Sequence, residues 1–340
     1  MRIQFRYRKD NVAPRRRPGW LKKAPGFAAA VCFLGAFSAC ALTSGPSENA
    51  ARRLQDTASL VQEVKAFGRT IGIESTEALS RTAQQQQPTL SMLWLWLQRE
   101  GTLALRDPID VWMAMGFSTE KGRVPLEQVY RVENYSVYYR QGNEFADERS
   151  VATVGFAGEG SVRRVMVILH EDLHGDINFN LRWEIEESIV TPLGVLAAVE
   201  FFRQKHDLEN LARAIDTVRL QRQYARELDA IAVKAEEIFK RQPPSEAKKQ
   251  ILELIPSYPT YDEFFQRQIA GQHPPTVLEA KLSHDLAYFH YFDQIVTLSE
   301  KAPDLKTLIS DLKKLPHDAS HADLERYLQQ LDSAYSKHAQ

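Results

Sequence analysis

The sequence contains an apolar run that ends in two closely spaced histidines, Ser161-Val-Arg-Arg-Val-Met-Val-Ile-Leu-His170-Glu-Asp-Leu-His174. The run predicts a buried helix, because the residues from Val165 to Leu169 are apolar on all sides. Residues four apart lie above one another on a helix, so His170 and His174 share a face and can reach one metal ion. Glu171 lies beside them. The stretch fits the pattern H-E-x-x-H, in which the histidines bind zinc and the glutamate is the general base.

The short pattern alone does not establish a metal site, because it also occurs on ordinary amphipathic helices with exposed histidine and glutamate. A third ligand nearby would support metal binding. Buried imidazoles and carboxylates need partners, which a metal ion would supply. The segment Trp183-Glu-Ile-Glu-Glu-Ser188 offers carboxylates on a second helix. Two histidines and one glutamate with an open position are typical of a catalytic zinc site. The residues alone leave Glu184, Glu186 and Glu187 open as the third ligand.

The spacing of these residues resembles the gluzincins and, more narrowly, a family of bacterial lipoproteins classed as aminopeptidases. In that family H-E-L-A-H is followed, thirteen residues after the second histidine, by the glutamate of an F-N-E-x-F-A-T-x-V-G segment. Here the segment reads Ile185-Glu-Glu-Ser-Ile-Val-Thr-Pro-Leu-Gly194, and Glu187 falls on the family's glutamate. The resemblance covers roughly residues 150 to 335. It implies a zinc metallopeptidase of aminopeptidase type, with one zinc ion bound by His170, His174 and Glu187.

The neighbouring glutamates are expected to differ in importance. Glu184 and Glu187 are three residues apart and share a helix face, whereas Glu186 points about 100° away from Glu187. We therefore expect Glu184 to orient a histidine through its free ring nitrogen, and Glu186 to matter little. The sequence departs from the family in having Glu186 instead of asparagine. It also has Pro192, which we expect to interrupt the helix.

Tyr288 is the candidate for a second catalytic group beside Glu171. Thr276-Val-Leu-Glu-Ala-Lys-Leu282, followed by Tyr288 and Phe292, is similar to the family's L-N-N-A segment with its downstream tyrosine, although both asparagines are missing. The resemblance implies that Tyr288 stabilises the oxyanion of a peptide substrate, while Glu171 takes a proton from water and hands it to the leaving amine. A tyrosine packed in the core is the alternative. Two other functions stay open, a non-catalytic zinc-binding or scaffold lipoprotein and a zinc amidase acting on a cell-wall amide.

The rest of the chain predicts an α+β fold that is predominantly α-helical. Alternation in Gln128 to Arg140 and a β-branched run in Ser150 to Phe156 predict two strands, with turn residues between them, and hence a hairpin or small sheet before the zinc helix. An exposed edge strand there could hold an extended peptide. The apolar segment Leu90 to Leu105 predicts a buried helix rather than a second membrane contact. After Glu187 the pattern is helical, with predicted helices at 194–205, 207–241, 245–254, 275–299 and from 305 to the end.

The first 39 residues read as a bacterial signal peptide. A basic stretch is followed by an apolar core from Gly26 to Phe37, and Phe37-Ser-Ala-Cys40 resembles a lipobox. Cys40 would carry the lipid, which places the protein in the cell envelope, on the periplasmic face. Ala41 rather than aspartate follows Cys40, which favours the outer membrane. The apolar core is shorter than the ~20 residues of a membrane-spanning helix. A plain anchor and plain secretion are the alternatives.

These boundaries divide the chain into four parts: a signal peptide (1–39), a tether (40–49), an N-terminal helical region (50–125) and a zincin-like catalytic region with a helical C-terminal part (126–340). The net charge of -1 gives no indication of a nucleic-acid partner. Both cysteines, Cys32 and Cys40, lie in or at the end of the signal peptide, so we expect no disulfide in the mature chain. His317 and His321 are also four apart but lack an adjacent glutamate, and we expect surface caps there.

Overall fold

The computed structural model of the chain describes residues 48–84, 92–104, 110–115, 134–142, 151–176 and 181–338. The predicted signal peptide, the lipobox with Cys40 and all but the end of the tether lie outside these residues. Among the helices of the described residues, none is both long enough and apolar enough to cross a membrane.

The apolar run before His170 forms the predicted helix, α3, at Ser161–Gly175. Four of the elements that precede it in the chain, two helices and two short strands, pack together. Helix α1 spans Glu48–Thr70, a three-residue strand β1 spans Arg81–Ala83, and strand β5 at Val151–Thr153 continues directly into the short helix α2 at Val154–Ala157. Strands β1 and β5 pair in parallel, and helix α1 packs against them and against α3. Helix α3 is therefore covered on one side by the N-terminal part of the chain.

Helix α4, at Trp183–Gln204, is the central helix and carries the candidate glutamates. It packs against α3 and is buried along most of its length. The expectation that Pro192 interrupts this helix is wrong, because α4 runs through it. Proline removes one backbone donor, here the one that would meet the carbonyl of Ser188. Most helical stability in proteins comes from tertiary packing, and neighbours on every side hold α4 in shape despite this loss.

The remaining helices follow the predicted order and surround α4. They agree with the sequence pattern with three exceptions. Helix α7 was not predicted, the predicted helix 275–299 is divided in two at His290 and Tyr291, and the helix predicted from 305 to the end is divided in two between Leu312 and His321. These helices are α5 Leu208–Arg241, α6 Pro244–Leu254, α7 Pro259–Gln268, α8 Pro274–Phe289, α9 Phe292–Lys301, α10 Leu305–Leu312 and α11 His321–His338. Of them, α5, α8, α9 and α10 contact α4 directly.

A three-stranded antiparallel sheet lies against α8. Its order is β3–β2–β4, with β2 at Met92–Arg99, β3 at Asp110–Met115 and β4 at Tyr135–Gly142. The prediction of a buried helix at Leu90 to Leu105 is therefore wrong. A short run that is apolar on both faces fits a buried strand as well as a buried helix, and here it becomes the middle strand, paired on both edges.

The predicted hairpin is also wrong in its pairing. Strand β4 pairs with β2, whereas β5 pairs with β1, so the two predicted strands belong to different sheets. The second predicted strand is short, because Val154 to Phe156 turn into helix α2. Residues 128–133 and most of the predicted turn lie outside the described residues. The coarser prediction is confirmed: the fold is mostly helical and has a small sheet.

Candidate metal centre

The contact between α3 and α4 is close because Gly194 has no side chain. A Cβ atom on Gly194 would lie 3.1 Å from the Cβ of His170 and 3.3 Å from the carbonyl oxygen of Met166. Glu187 precedes Gly194 by seven residues, nearly two full turns, so both lie on the same face of α4. The glycine thus allows the helix that carries Glu187 to approach the helix that carries His170.

Three ligand atoms from these two helices converge. The Nε2 atoms of His170 and His174 are 3.0 Å apart. Oε2 of Glu187 lies 3.5 Å from Nε2 of His170 and 3.3 Å from Nε2 of His174. Ligand atoms at 2.0–2.1 Å from a tetrahedral zinc ion would lie about 3.3 Å from one another. The three residues predicted as ligands therefore form a triangle of the size that a metal ion needs.

The burial of these groups also fits a bound cation. Glu187 is 1% exposed and Glu171 is 2% exposed. Neither carboxylate oxygen of Glu187 makes a well-aligned hydrogen bond, nor does Oε2 of Glu171. Burying carboxylate oxygens that accept no hydrogen bond is costly, and a bound cation reduces that cost. Within the described parts of the chain, one group of three or more His, Cys, Asp or Glu residues could hold a metal ion, and it consists of His170, His174 and Glu187.

Glu186 holds the other side of His174. Its Oε1 lies 2.7 Å from Nδ1 of His174, so the imidazole is fixed between Glu186 and the ligand triangle. Glu184 lies instead beside Arg182, at 3.6 Å. The expectation that Glu184 orients a histidine and that Glu186 matters little is therefore wrong. Adjacent helix positions diverge by about 100°, and the two nitrogens of an imidazole also point in different directions. Glu186 and Glu187 can therefore meet both nitrogens of the same ring.

The electrostatics of the site favour different protonation states for His170 and His174. Burial lowers the pKa of His170 well below its usual value, and the neighbouring His174 lowers it further. Burial also opposes charge on His174, but the carboxylates of Glu187 and Glu186 outweigh it and raise its pKa well above the usual value. The cluster thus has excess carboxylate around two imidazoles, which is an environment that attracts a cation.

Glu171 lies next to the triangle in a low-dielectric environment. Burial raises its pKa to about 8. Its neighbours Glu187 and Asp172 add to the increase, while His174 and Lys65 oppose it. Positive charge at the triangle would favour the ionised form of Glu171, because opposite charges at short range lower a carboxylate's pKa.

Tyr288 is brought to the same site from α8. Its side chain is buried, and its hydroxyl faces the Glu187 carboxylate. Burial raises the pKa of Glu187, whereas the Tyr288 hydroxyl lowers it. The ring of His284, one turn earlier on α8, lies 5.1 Å from the Tyr288 ring, centroid to centroid. Tyr288 is therefore both a packed tyrosine and a neighbour of the candidate ligands.

His284 and Asp285 lie one turn before Tyr288 on α8 and belong to the same region. Nδ1 of His284 lies 2.9 Å from Oδ1 of Asp285, and the ring of Trp96 from β2 packs edge-on against His284 at 4.6 Å. Asp285 also forms an ion pair with Lys281 and accepts a hydrogen bond of 3.0 Å from the Tyr261 hydroxyl. The signal in the sequence is an adjacent His-Asp pair on an apolar helix. The network fixes the turn of α8 that presents Tyr288.

The second histidine pair, His317 and His321, is not part of the group that could hold a metal ion. His317 is exposed, while His321 is half-buried with its Nδ1 3.2 Å from the Tyr291 hydroxyl. Burial lowers the pKa of His321 to about 4. The cap at the start of α11 is formed by Ser320 and Asp323, which accept hydrogen bonds from each other's backbone N–H. His321 is thus a packing residue rather than the expected surface cap.

Comparison of the chain with protein-family models, with curated proteins and with solved structures found no match in any of the three.

Proposed function

We propose that this protein is a zinc-dependent hydrolase of peptide bonds, in which His170, His174 and Glu187 hold one zinc ion and Glu171 is the general base. The observation that carries the proposal is the triangle of ligand atoms at 3.0, 3.3 and 3.5 Å, with the Glu171 carboxylate beside it. Two nitrogens and one oxygen with a fourth position open suit a catalytic zinc ion better than a structural one.

A zinc ion bound there would polarise a substrate carbonyl and lower the pKa of a water molecule. Glu171 has a buried oxygen without a hydrogen bond and would be the group that accepts a proton from that water and passes it to the leaving amine. Glu186 holds His174 in one orientation, as carboxylates that contact ligand histidines do in other metal sites. The Tyr288 hydroxyl is the nearby donor that could stabilise negative charge developing on the carbonyl oxygen.

Peptides are the substrate class that the resemblance to aminopeptidase lipoproteins implies, and the small sheet bears on how one could bind. Gln272 makes two hydrogen bonds of 2.9 Å with the backbone N–H and carbonyl of Tyr139 on β4. These are the bonds that an added strand would make, so an extended peptide would not pair with β4 at this residue. Lipid attachment at Cys40 would hold the enzyme on the periplasmic face of the envelope.

Metal analysis followed by a substrate screen tests the proposal. The purified full chain should retain about one zinc ion after dialysis. It should also cut members of a mixed peptide library, with the new termini showing whether cleavage is internal or terminal. Zinc without turnover of peptides or cell-wall amides would favour the scaffold function, and turnover of a cell-wall amide alone would favour the amidase. A chain that binds no zinc would overturn the proposal.

The variant Glu171→Gln tests the role of the base separately. It removes the proton acceptor and spares every proposed ligand, so we expect zinc to stay bound and hydrolysis to be abolished. Glu184→Gln is the matched control, because it makes the same change on a buried glutamate that faces Arg182 rather than the triangle. Full activity in Glu171→Gln would refute the mechanism.

A further inference from the structure

Helix α3 carries a second pair of residues four apart, interleaved with the two histidines. Asp172 in the last turn of the helix and Asp176 directly after its end alternate with His170 and His174. On a helix Asp172 lies on the face opposite the histidines. Both aspartates are 1% exposed. Buried carboxylates need partners, and here the partners come from segments far away in the sequence.

Asp172 is held by the N-terminal part of the chain. Its Oδ1 forms an ion pair with Lys65 of α1, which is 4% exposed. The same oxygen accepts hydrogen bonds from the backbone N–H of Thr76 at 3.0 Å and from the Thr76 hydroxyl at 2.7 Å. Lys65 also donates to the carbonyl of Thr76 at 3.0 Å. Lys65 and Thr76 are thus bonded both to each other and to α3.

Asp176 is held in a similar way at the end of the helix. Oδ2 of Asp176 contacts the ammonium of Lys313 and accepts a bond from the backbone N–H of Glu74 at 3.3 Å. Lys313 also donates to the carbonyl of Gly72 at 2.7 Å. Gly175 lies flat against this segment, because a Cβ atom there would be 2.0 Å from Cγ2 of Thr76. The segment after α1 therefore packs closely on the last turn of α3.

That last turn contains His174. Helix ends fray, and the last carbonyls of a helix lack donors within the helix. A buried ion pair adds little stability compared with apolar packing, but it fixes orientation when every atom is paired. The contacts to Asp172 and Asp176 therefore fix the rotation and the end of α3, from the side away from the histidines.

We propose that Lys65 and Thr76 are positioning residues of the metal centre, so that the N-terminal region is a structural part of the site. The inference rests on the proposed function, since it assigns these residues to that zinc site. It gives residues 48–84 a role that their own sequence does not indicate. The hydrogen bonds to Asp172 hold His174 in place. Their loss lowers metal affinity, although no ligand is changed.

The test measures zinc affinity of the full chain by competition with a chelating dye, at a temperature where near-ultraviolet circular dichroism shows each variant to be folded. Lys65→Met should lower the affinity about 10-fold, the range seen for partners of ligands. Thr76→Val should lower it less, because its backbone N–H still reaches Asp172. Lys205→Met is the control. Lys205 pairs with Glu63 of the same helix α1, but this pair is exposed, and its loss should leave the affinity unchanged.

The outcomes separate the two proposals. A wild-type chain that binds no zinc overturns the site itself and the inference with it. A wild-type chain that binds zinc, together with a folded Lys65→Met variant of equal affinity, overturns only the inference, even if the variant melts at a lower temperature. If Lys65→Met does not fold, Thr76→Val decides, and an unchanged affinity in that variant overturns the inference. The visible absorption band of bound Co²⁺ gives a second readout. A band that shifts in Lys65→Met but not in Lys205→Met supports the inference.

Discussion

Glu186 and His174 are in contact beside the candidate ligand triangle: the carboxylate of Glu186 lies 2.7 Å from Nδ1 of His174, while Nε2 of the same ring faces Glu187. Consecutive residues of one helix thus hold both nitrogens of one imidazole. A ring held in this way presents its free nitrogen in a single orientation, which is what a metal ligand requires.

The three glutamates of α4 should therefore differ in a defined order. Glu187→Ala should abolish zinc binding, because it removes a ligand. Glu186→Ala should weaken the affinity by about 10- to 100-fold, as losses of partners of ligands do. Glu184→Ala is the matched control and should change little, since Glu184 faces Arg182. Zinc titration of the three purified variants measures this order. A larger loss for Glu184→Ala than for Glu186→Ala would contradict the assignment.

Gly194 should be sensitive to the smallest enlargement. Gly194→Ala places a methyl group 3.1 Å from Cβ of His170, so α4 must move away from α3. We expect a loss of about 1–3 kcal/mol in the free energy of unfolding, together with weaker zinc binding. Urea denaturation and zinc titration measure the two effects. Gly160→Ala is the control, because a Cβ atom there meets nothing within 4 Å. Equal behaviour of the two variants would show that the helix contact is not tight.

Asp285 should contribute stability that depends on pH. Burial raises its pKa, but the charge of Lys281 and the bond from His284 outweigh it and hold the pKa below the ordinary value of 3.8. The Tyr261 hydroxyl also donates to this carboxylate. A carboxyl group whose pKa is depressed by folding stabilises the protein above its unfolded pKa, and this stability is lost as the pH falls towards the folded value.

Asp285→Asn should therefore cost about 3–5 kcal/mol at neutral pH, because it leaves the buried Lys281 without its counter-charge. The difference from the wild type should be constant between pH 7 and 5 and should shrink below about pH 4. Denaturant unfolding at a series of pH values measures it. If the single variant does not fold, the double variant Lys281→Met/Asp285→Leu should recover stability and lose the acid dependence. A difference that is independent of pH would refute the role of this carboxylate.

Cys40 lies outside the described residues, and its role is a prediction from the sequence. Cys40→Ser should move the protein from the membrane fraction to a soluble one, or leave the signal peptide uncleaved, because the thiol is the predicted site of lipid attachment. Fractionation and intact mass measure both results. A wild-type protein whose mass does not change on mild delipidation would reject the lipobox.

The grouping of His170, His174 and Glu187 could be predicted from the sequence because their spacing is local. His170 and His174 are one turn apart on one helix, and Glu187 lies on the next, so helix geometry and a resemblance in spacing were sufficient. Which carboxylate meets Nδ1 of His174 depends on how α3 and α4 pack, which no spacing within α4 encodes. For this reason Glu184 was predicted in place of Glu186.

Longer-range features could not be predicted for the same physical reason. The pair Asp172 and Asp176 is visible in the sequence, but its partners Lys65 and Lys313 are more than 100 residues away from it. Strand β2 was predicted as a helix because its residues are apolar on both faces, and only its pairing with β3 and β4 decides between the two.

The most direct test of the central claim is the location of zinc in crystals of the purified full chain, measured by anomalous scattering at the zinc absorption edge. We predict one anomalous peak about 2.0–2.2 Å from Nε2 of His170, Nε2 of His174 and a carboxylate oxygen of Glu187. A crystal grown with zinc that shows no peak between these atoms, or a peak bound by Glu186 in place of Glu187, would contradict it.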